Sequence, residues 1–316
     1  MKILIYGAGG VGSVVGGLLA RMGHEVSLLG RSWHLDAIEK NGLVINGIWG
    51  DYRIKAFNLY RNVEEIKNKN PVFDLIILTV KSYDTEAAVN ELPSLMKENT
   101  ALLALQNGLG NVETILKKVK SEQCLIGRVI FGVEIKPGTA KVTVAADATV
   151  IGALPGMKPK MNAEAAAHLF NLAKIETRAV PNIMTHIWSK AIYNSALNAI
   201  CGFYEMPYGK ILEKNETKNW MEKIVRECYA VGIKKGIALD PPDAEGYLKL
   251  LTGTLIPRTA AHFPSMLQDI KKGKRIDIDA LNGAICRMGR ELGIATPANQ
   301  RAVEKIQRRH REPRTE

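Results

Sequence analysis

The chain has 316 residues, of which 46% are hydrophobic and 24% are charged, and its formal net charge is +11. This composition is ordinary for a globular protein, and the length allows two domains with well-buried cores. No apolar run reaches the roughly 20 residues that a membrane span needs, and the N-terminus has no secretory signal pattern, so we expect a cytoplasmic protein that binds no membrane.

The four cysteines and six histidines are scattered, without the spacing of a disulfide framework or a metal site, so no metal is predicted. Much of the positive charge lies near the end of the chain, in Lys305, Arg308, Arg309, Arg311 and Arg314. We interpret this run as the solvated face of a partly frayed C-terminal helix. An electropositive field that attracts anionic small molecules is an alternative. Nucleic-acid binding is not predicted, because no helix-turn-helix or aromatic-rich module accompanies the charge.

The first half alternates apolar strand runs with helical segments, which is typical of a parallel sheet. The predicted strands are Ile3–Tyr6, Val26–Leu29, Leu75–Val80, Ala101–Leu105 and Leu125–Ile130. The predicted helices between them are Gly10–Met22, Thr85–Leu92 and Asn111–Val119. Two hairpins are predicted, one with its turn at Asn46-Gly47 and one with its turn at Pro137-Gly138.

After Pro181 the pattern changes to amphipathic helices with almost no strand signal. The predicted helices here are Ile183–Phe203, Trp220–Lys235 and Asp279–Leu292. The sequence therefore predicts an α/β fold in two domains. Residues 1–180 form a Rossmann-type doubly wound sheet, and residues 181–316 form an all-helical domain.

A glycine-rich loop follows the first predicted strand and opens the first predicted helix. It consists of Gly7, Ala8, Gly9, Gly10, Val11 and Gly12. In this setting a G-x-G-x-x-G loop is typical of dinucleotide binding, because its glycines allow a tight turn, close approach of a pyrophosphate, and close packing of helix on strand. A glycine turn without a ligand is the alternative.

The end of the second predicted strand bears on the choice of cofactor. An NAD-binding domain usually has an acidic residue there for the ribose hydroxyls. This chain instead has Arg31, with no acid beside it and with Ser32 next to it. Arginine can pair with a 2′-phosphate, so NADP is predicted. A surface arginine without such a role is the alternative. Lys81 and Asn107 also follow predicted strands, at the edge where cofactors lie in such sheets.

One helix of the second half carries a polar stripe among apolar residues. Lys190, Asn194 and Asn198 recur at every fourth position, so they share one side of the predicted helix. Asparagine is a poor helix former, so two of them need an explanation. The amides can donate hydrogen bonds to substrate oxygens, and the lysine can give a proton to a carbonyl oxygen that becomes an alcohol. A solvated polar face is the alternative.

Together these features resemble the ketopantoate reductase family over nearly the whole chain, to about Lys305. The resemblance is carried, in chain order, by GAGGVG, Arg31, TVKSYD with Lys81, QNGLG with Asn107, WSKAIYNSALN, PSMLQD and IDIDALNG. Members of that family reduce 2-dehydropantoate to pantoate with NADPH. The resemblance implies that Lys190 is the general acid and that Asn194 and Asn198 hold the substrate. It also implies that Asn107 contacts both nicotinamide and substrate, that Lys81 helps to fix the cofactor, and that Ser265 binds the substrate carboxylate. A homodimer formed through the helical half is a further expectation that comes from the resemblance alone.

The chain departs from the family pattern in the substrate half. Asp277 stands where the family usually has glutamate, and it would hold the cofactor ribose or the lysine, as a second catalytic residue. The usual Pro-Asn-Gly is Pro207-Tyr208-Gly209, and His262 replaces a polar residue that is usually asparagine. These changes leave open a D-2-hydroxy acid dehydrogenase that acts on a bulkier or aromatic 2-oxo acid. A regulatory protein that binds NADP without turnover is the alternative of another class.

Overall fold

A computed structural model describes residues 1–311, so that Arg314, the last residue of the basic run, lies outside the described residues. The chain forms two compact units. The first unit comprises Met1–Asn107 and Asn111–Ile183, and the second comprises Gly108–Gly110 and the described residues from Met184 to Arg311.

Within residues 1–311, all strands lie in the first unit. In chain order they are β1 (Lys2–Tyr6), β2 (Glu25–Leu29), β3 (Leu43–Gly47), β4 (Tyr52–Ile54), β5 (Asn58–Tyr60), β6 (Leu75–Leu78), β7 (Ala101–Ala104), β8 (Cys124–Arg128), β9 (Phe131–Lys136), β10 (Thr139–Ala145), β11 (Thr149–Gly152) and β12 (Thr177–Ala179). The helices of this unit are α1 (Gly10–Arg21), α2 (Ser32–Asn41), α3 (Val63–Lys69), α4 (Thr85–Leu95), α5 (Asn111–Ile115) and α6 (Ala163–Leu172). No residue between Val180 and Arg311 belongs to a strand.

The larger sheet has the strand order β12-β11-β8-β7-β6-β1-β2-β5. The strands from β5 to β8 along this order are parallel, and β11 runs antiparallel to β8. From the central β1 the chain builds outward to β2 and β5, then returns to the other side of β1 with β6. Ligands bind at such a reversal point, outside the carboxyl ends of the strands. Because Tyr6 is in register with both Leu29 and Leu78, the loops after β1, β2 and β6 begin at one edge.

A smaller sheet of order β4-β3-β10-β9 lies on the other side of α1. The two glycines in the middle of α1 account for this arrangement. A Cβ atom on Gly16 would lie 2.7 Å from Ile5 Cγ1 of the larger sheet, and one on Gly17 would lie 2.6 Å from Ile45 Cδ1 of the smaller sheet. Glycine at both positions therefore lets the helix approach a sheet on either side.

His34 ties α1, α2 and the β9–β10 hairpin together inside this unit. Its side chain is fully buried. Its Nε2 lies 2.9 Å from Ser13 Oγ, and the backbone N–H of Gly138 donates to its Nδ1 across 3.2 Å. Burial lowers the pKa of His34 below its ordinary value, which favours the neutral ring in the fold.

The remaining helices are α7 (Ile183–Phe203), α8 (Asn215–Lys234), α9 (Ala244–Leu250), α10 (Ile256–Arg258), α11 (Ser265–Lys271), α12 (Asn282–Leu292) and α13 (Pro297–Arg311). Polar groups that are wholly or partly buried join four of them. The carboxylate of Glu227 on α8 accepts hydrogen bonds from the Ala298 and Asn299 N–H groups at the start of α13. The amide nitrogen of Asn282 on α12 donates to Asn299 Oδ1 and to the Ser195 carbonyl of α7. The bonds to Glu227 satisfy backbone N–H groups that the start of α13 would otherwise leave unpaired.

The predicted fold class is confirmed: a mixed α/β sheet region precedes a helical region. Several predicted boundaries were wrong. The strand predicted to end at Val80 ends at Leu78, and the helix predicted to reach Val119 ends at Ile115, where bonds from Lys117 to Thr114 and from Lys118 to Ile115 tighten the turn. The helix predicted from Trp220 begins at Asn215, because its first turn is polar and gave no apolar pattern.

The first hairpin also differs from its prediction. Asn46-Gly47 is not the turn, since β3 continues through Gly47 and residues 48–51 connect it to β4. Gly47 has φ +103°, and a Cβ there would meet the Val142 carbonyl of β10, so glycine is required by the neighbouring strand. The second hairpin lies at Pro137-Gly138 as predicted.

The helix predicted for the basic C-terminal run is present, since α13 extends through Arg311 and buries Ala302 and Ile306. Arg301 stacks 4.4 Å from the Trp220 ring centroid and pairs with Glu216, and Arg309 pairs with Glu205. Part of the charge is therefore used in packing this helix.

Within residues 1–311, no helix is both long and apolar enough to cross a membrane. In the same part of the chain, no three or more His, Cys, Asp or Glu side chains are grouped so that they could hold a metal ion.

Candidate active site

The glycine-rich loop connects β1 to α1 and makes two close approaches. Gly7 has φ +108°, and a Cβ on it would lie 2.8 Å from the backbone nitrogen of Val80. A Cβ on Gly12 would meet the Gly7 carbonyl and would lie 2.6 Å from Thr79 Oγ1. Thr79 Oγ1 in turn donates to the Gly7 carbonyl across 2.7 Å. The loop is therefore fixed against the end of β6, and neither position admits a side chain.

Gly9 differs from the other two glycines of the motif. It is exposed, its φ is −88°, and the nearest heavy atom to a Cβ there would be 3.9 Å away. Neither the backbone conformation nor the packing of the protein requires glycine at this position. Gly9 is also the N-cap residue of α1 and provides no side-chain cap, so the positive end of the helix dipole faces an open surface. Such a terminus is suited to bind a phosphate group.

Arg31 and Lys81 lie in the loops after β2 and β6. Arg31 is the N-cap residue of α2, and its side chain is 74% exposed. Its Nη2 lies 3.7 Å from Asp84 Oδ2, at the end of a short 3₁₀ turn, Ser82–Asp84, for which Lys81 is the N-cap residue. The pair joins the two loops at the carboxyl edge of the sheet. Asp84 places a negative charge beside Arg31. A 2′-phosphate bound to Arg31 would therefore share the guanidinium with Asp84.

Asn107 follows β7 in a loop held by buried amide groups. The Gln106 side chain donates to the Val80 carbonyl across 3.0 Å and to Thr85 Oγ1 across 2.7 Å. Thr85 donates to Asn111 Oδ1, and Asn111 Nδ2 donates to the Asn107 carbonyl across 2.9 Å. This chain of bonds fixes the backbone at Asn107 and leaves its side chain exposed.

The polar stripe lies on α7, whose bounds match the sequence prediction. Lys190 and Asn194 are half-buried, and Asn198 is only 4% exposed. Since none of the three is exposed, the arrangement does not fit a solvated polar face. The apolar neighbours Ala191 and Leu197 are buried in the core of the second unit. The stripe thus brings one ammonium and two amides to one side of a well-packed helix.

A cluster of aromatic and hydroxyl groups adjoins the far end of the stripe. The Tyr208 hydroxyl donates to Asn198 Oδ1 across 2.7 Å. The Tyr208 ring meets the Tyr193 ring edge-on, with centroids 5.8 Å apart, and tilts against the His262 ring at 5.2 Å. Tyr193 hydroxyl and Thr259 Oγ1 are 2.8 Å apart, and Thr259 also donates to the Leu255 carbonyl. Burial raises the pKa of Tyr208 well above its ordinary value and lowers the pKa of His262.

The other predicted substrate-side residues lie in later segments. Ser265 is the exposed first residue of α11, directly after Pro264. Asp277 is half-buried and precedes the short turn Ile278–Ala280. In the same unit, the Leu109 N–H donates to the Ala280 carbonyl across 2.8 Å, and a Cβ on Gly108, whose φ is +91°, would lie 2.7 Å from Ala280 Cβ. This close contact with the turn explains why residue 108, the first glycine of QNGLG, has no side chain.

Asp84, Tyr193 and Thr259 are among the polar residues of these clusters that were not predicted from the sequence. Asp84 and Tyr193 stand inside the segments TVKSYD and WSKAIYNSALN, three residues after Lys81 and Lys190 respectively, so a search at helical spacing could have indicated them. Nothing in the sequence around Thr259 indicated that its hydroxyl would contact Tyr193.

Comparisons with known proteins place this arrangement in a family. Residues 3–156 match the family described as Ketopantoate reductase PanE/ApbA, and residues 182–310 match its C-terminal part. A 2-dehydropantoate 2-reductase of Aquifex aeolicus is 38% identical over 301 residues, which cover 95% of this chain and 94% of that protein.

Solved structures agree in fold. A PanE/ApbA family ketopantoate reductase from Ralstonia eutropha is 29% identical with a TM-score of 0.85, and the match covers 98% of both chains. A D-mandelate dehydrogenase, solved with NADH and anilino(oxo)acetate, has the same identity, TM-score and coverage. The fold and the motifs define an oxidoreductase with a Rossmann-like domain. The chain belongs to the ketopantoate reductase family.

Proposed function

We propose that this protein reduces 2-dehydropantoate, or ketopantoate, to pantoate with NADPH as the hydride donor. The observation that carries the proposal is the half-buried stripe of Lys190, Asn194 and Asn198 on α7. It accompanies a similarity to 2-dehydropantoate 2-reductases that extends over 95% of the chain. The stripe offers one proton donor and two amides, which suits an acid with a carbonyl beside its carboxylate.

The residues after β1 and β2 fit a phosphorylated dinucleotide. The open surface at Gly9 and the uncapped start of α1 would bind the pyrophosphate, through the loop formed by Gly7, Ala8, Gly9, Gly10, Val11 and Gly12. Arg31 would pair with the 2′-phosphate, and Lys81 would add a second positive charge. When it is bound, the nicotinamide supplies the hydride.

The substrate-side residues would then have the following roles. Asn194 and Asn198 donate hydrogen bonds to the substrate oxygens, Ser265 binds the carboxylate, and Asn107 orients the carbonyl. As the 2-oxo carbon gains a hydride, Lys190 Nζ gives a proton to the carbonyl oxygen, which becomes the hydroxyl of pantoate. Asp277 would hold the lysine or the cofactor ribose. In this scheme the protein accelerates the reaction by positioning the substrate and the cofactor, and it forms no covalent bond to either.

We further propose that residues 1–180 bind the cofactor and that residues 181–316 bind the substrate and form a homodimer. The dimer proposal is tested by the mass in solution, measured by sedimentation equilibrium or by light scattering. A monomer at micromolar concentration would exclude it.

A second candidate function is reduction of another 2-oxo acid on the same scaffold. Two observations favour it: the aromatic contacts of Tyr208 with Tyr193 and His262, and the similarity to D-mandelate dehydrogenase. Both candidates require Lys190, whereas a protein that only senses NADP has no need of it.

The test is incubation of the purified protein with NADPH and ketopantoate, followed by identification of the product by mass spectrometry and chiral chromatography. Stoichiometric pantoate would support the proposal. Absence of any ketopantoate-dependent product, with other 2-oxo acids reduced, would favour the second candidate.

A further inference from the structure

We propose that Tyr208 is a positioning residue that holds the Asn198 amide as a hydrogen-bond donor toward an oxygen of the substrate. The inference rests on the proposed function. It gives a role to a residue in which this chain departs from the resemblance, since the usual residue at this position is asparagine. It begins from the bond between the Tyr208 hydroxyl and Asn198 Oδ1, which is 2.7 Å long and buried.

The Tyr208 ring is held in place from several sides. It is 4% exposed and meets the Tyr193 ring at 87°. The backbone N–H of Tyr208 donates to the His262 carbonyl across 3.0 Å, and that of Gly209 donates to the Ala260 carbonyl across 2.9 Å. The hydroxyl therefore has a fixed position beside α7. Tyr193, which meets the Tyr208 ring edge-on, is itself held at its hydroxyl, 2.8 Å from Thr259 Oγ1.

The Tyr208 hydroxyl donates to Asn198 Oδ1 and so favours one orientation of the Asn198 amide. An amide has an acceptor oxygen at one corner and a donor NH₂ group at the other. With Oδ1 bonded to Tyr208, the two N–H bonds of Asn198 point to the opposite side. An asparagine that could rotate freely would present its oxygen part of the time, and that oxygen would repel a carboxylate or a carbonyl. The bond that Tyr208 donates to Oδ1 favours the orientation in which the amide nitrogen faces away from the tyrosine, before the substrate arrives.

The arrangement also defines a class of substrate. Asn198 can serve a group that accepts hydrogen bonds, such as the carboxylate or the keto oxygen of a 2-oxo acid. A group that must itself donate, such as the ammonium of an amino acid, would find no acceptor on Asn198. The chemistry at this end of the stripe therefore selects oxygen acceptors.

The test compares the variant Y208F with the matched control Y229F in steady-state kinetics. Phenylalanine keeps the ring of Tyr208 and removes only the hydroxyl. Tyr229 is also buried in the second unit, and its hydroxyl donates to the Pro241 carbonyl across 2.8 Å. Because a single hydrogen bond contributes modestly, we expect Y208F to raise KM for the preferred 2-oxo acid by roughly 10-fold, to change kcat by less than about 3-fold, and to leave the Kd of NADPH unchanged. Y229F should leave KM unchanged.

A double-mutant cycle with N198A assigns the effect to the amide. In the N198A background, Y208F should have no further effect on KM. The proposal is overturned if Y208F and Y229F have the same KM, or if the effect of Y208F persists in full without Asn198. Should Y208F fail to fold, N198D keeps an acceptor for Tyr208 but presents an anionic oxygen to the substrate. An N198D variant with the KM of the unaltered protein would equally overturn the proposal.

These outcomes are separate from a failure of the proposed function. If the unaltered protein reduces no 2-oxo acid, the proposed function fails, and this inference fails with it. If the unaltered protein is active and Y208F behaves as Y229F does, only the inference fails.

Discussion

Substitution by alanine should have different effects at two glycines of the same loop, Gly12 and Gly9. Gly12 is surrounded by protein: its Cβ would meet the Gly7 carbonyl and would lie 2.6 Å from Thr79 Oγ1 and 2.9 Å from Ile5 Cγ2. Gly9 has an allowed backbone conformation for alanine and open space around its Cβ position. We therefore expect G12A to damage the fold, and G9A to damage only cofactor binding.

The expected magnitudes follow from these contacts. Overpacking a filled site costs about 1–3 kcal/mol or more, and because the closest obstacle to Gly12 is a backbone carbonyl, G12A should lie at the upper end. For a unit of this size, a loss of about 3 kcal/mol lowers Tm by roughly 6–12 °C. For G9A, lower flexibility of the unfolded chain stabilises by about 0.4–1 kcal/mol, and a poorer N-cap offsets it, so stability should change by less than about 0.5 kcal/mol. Each hydrogen bond to a charged group contributes about 1.5–3 kcal/mol, so a methyl group that keeps phosphate from the loop amides should raise Kd roughly 10- to 100-fold.

The assay pairs thermal unfolding with titration of NADPH, followed by fluorescence, for the unaltered protein, G9A and G12A. The expected pattern is a normal Tm with weak NADPH binding for G9A, and a lowered Tm for G12A. Normal NADPH affinity in G9A would refute the assignment of this loop to the pyrophosphate. A normal Tm in G12A would refute the close packing of the loop against β6.

Four further predictions concern charge and protons. R31A should raise the Kd of NADPH by roughly 10-fold or more while NADH binding changes little, because only NADPH carries a 2′-phosphate; equal losses for both would exclude Arg31 as the residue that reads it. D84N removes the negative charge that lies 3.7 Å from Arg31, so NADPH should bind a few-fold more tightly, and the absence of any change in its Kd would count against a phosphate beside that pair. K190A should abolish reduction of the 2-oxo acid and leave the Kd of NADPH unchanged, whereas retained turnover would remove Lys190 from the proton transfer. For His34, burial lowers the pKa from its ordinary value of 6.5, so the unfolded chain takes up a proton that the folded chain does not. The contribution of neutral His34 to stability is complete above pH 6.5 and is lost as the pH falls toward the lower pKa of the folded protein. The free energy of unfolding, measured with urea between pH 7 and pH 5, should therefore depend less on pH in H34Q than in the unaltered protein. An identical pH dependence would contradict this assignment.

The sequence predicted the parts of the fold that local patterns determine. Leu75–Leu78 is an apolar run in a central strand, and all four of its residues are buried. The bounds of α7 were predicted correctly because Pro181-Asn182 precedes its amphipathic pattern. Local patterns of this kind depend on residues within a few positions of one another.

Features that depend on distant partners were not predicted. The smaller sheet requires β3 to pair with β10, and no local pattern records that Leu43–Gly47 and Thr139–Ala145 will be neighbours. For the same reason, the glycines at positions 16 and 17 gave no sign that α1 would have a sheet on each side. In the candidate site, the sequence marked Tyr208 as a departure from the family but not as the partner of Asn198, because that contact depends on how the turn after α7 folds back on the helix.

The most direct test of the central claim is a matrix of specificity constants for the unaltered protein. Ketopantoate and a panel of other 2-oxo acids, including phenylglyoxylate and 3-methyl-2-oxobutanoate, would each be measured with NADPH and with NADH. The proposed function predicts the highest kcat/KM for ketopantoate with NADPH. A higher value for another 2-oxo acid, or for NADH with every substrate, would contradict it and would mean that the substrate or cofactor assignment made here is wrong.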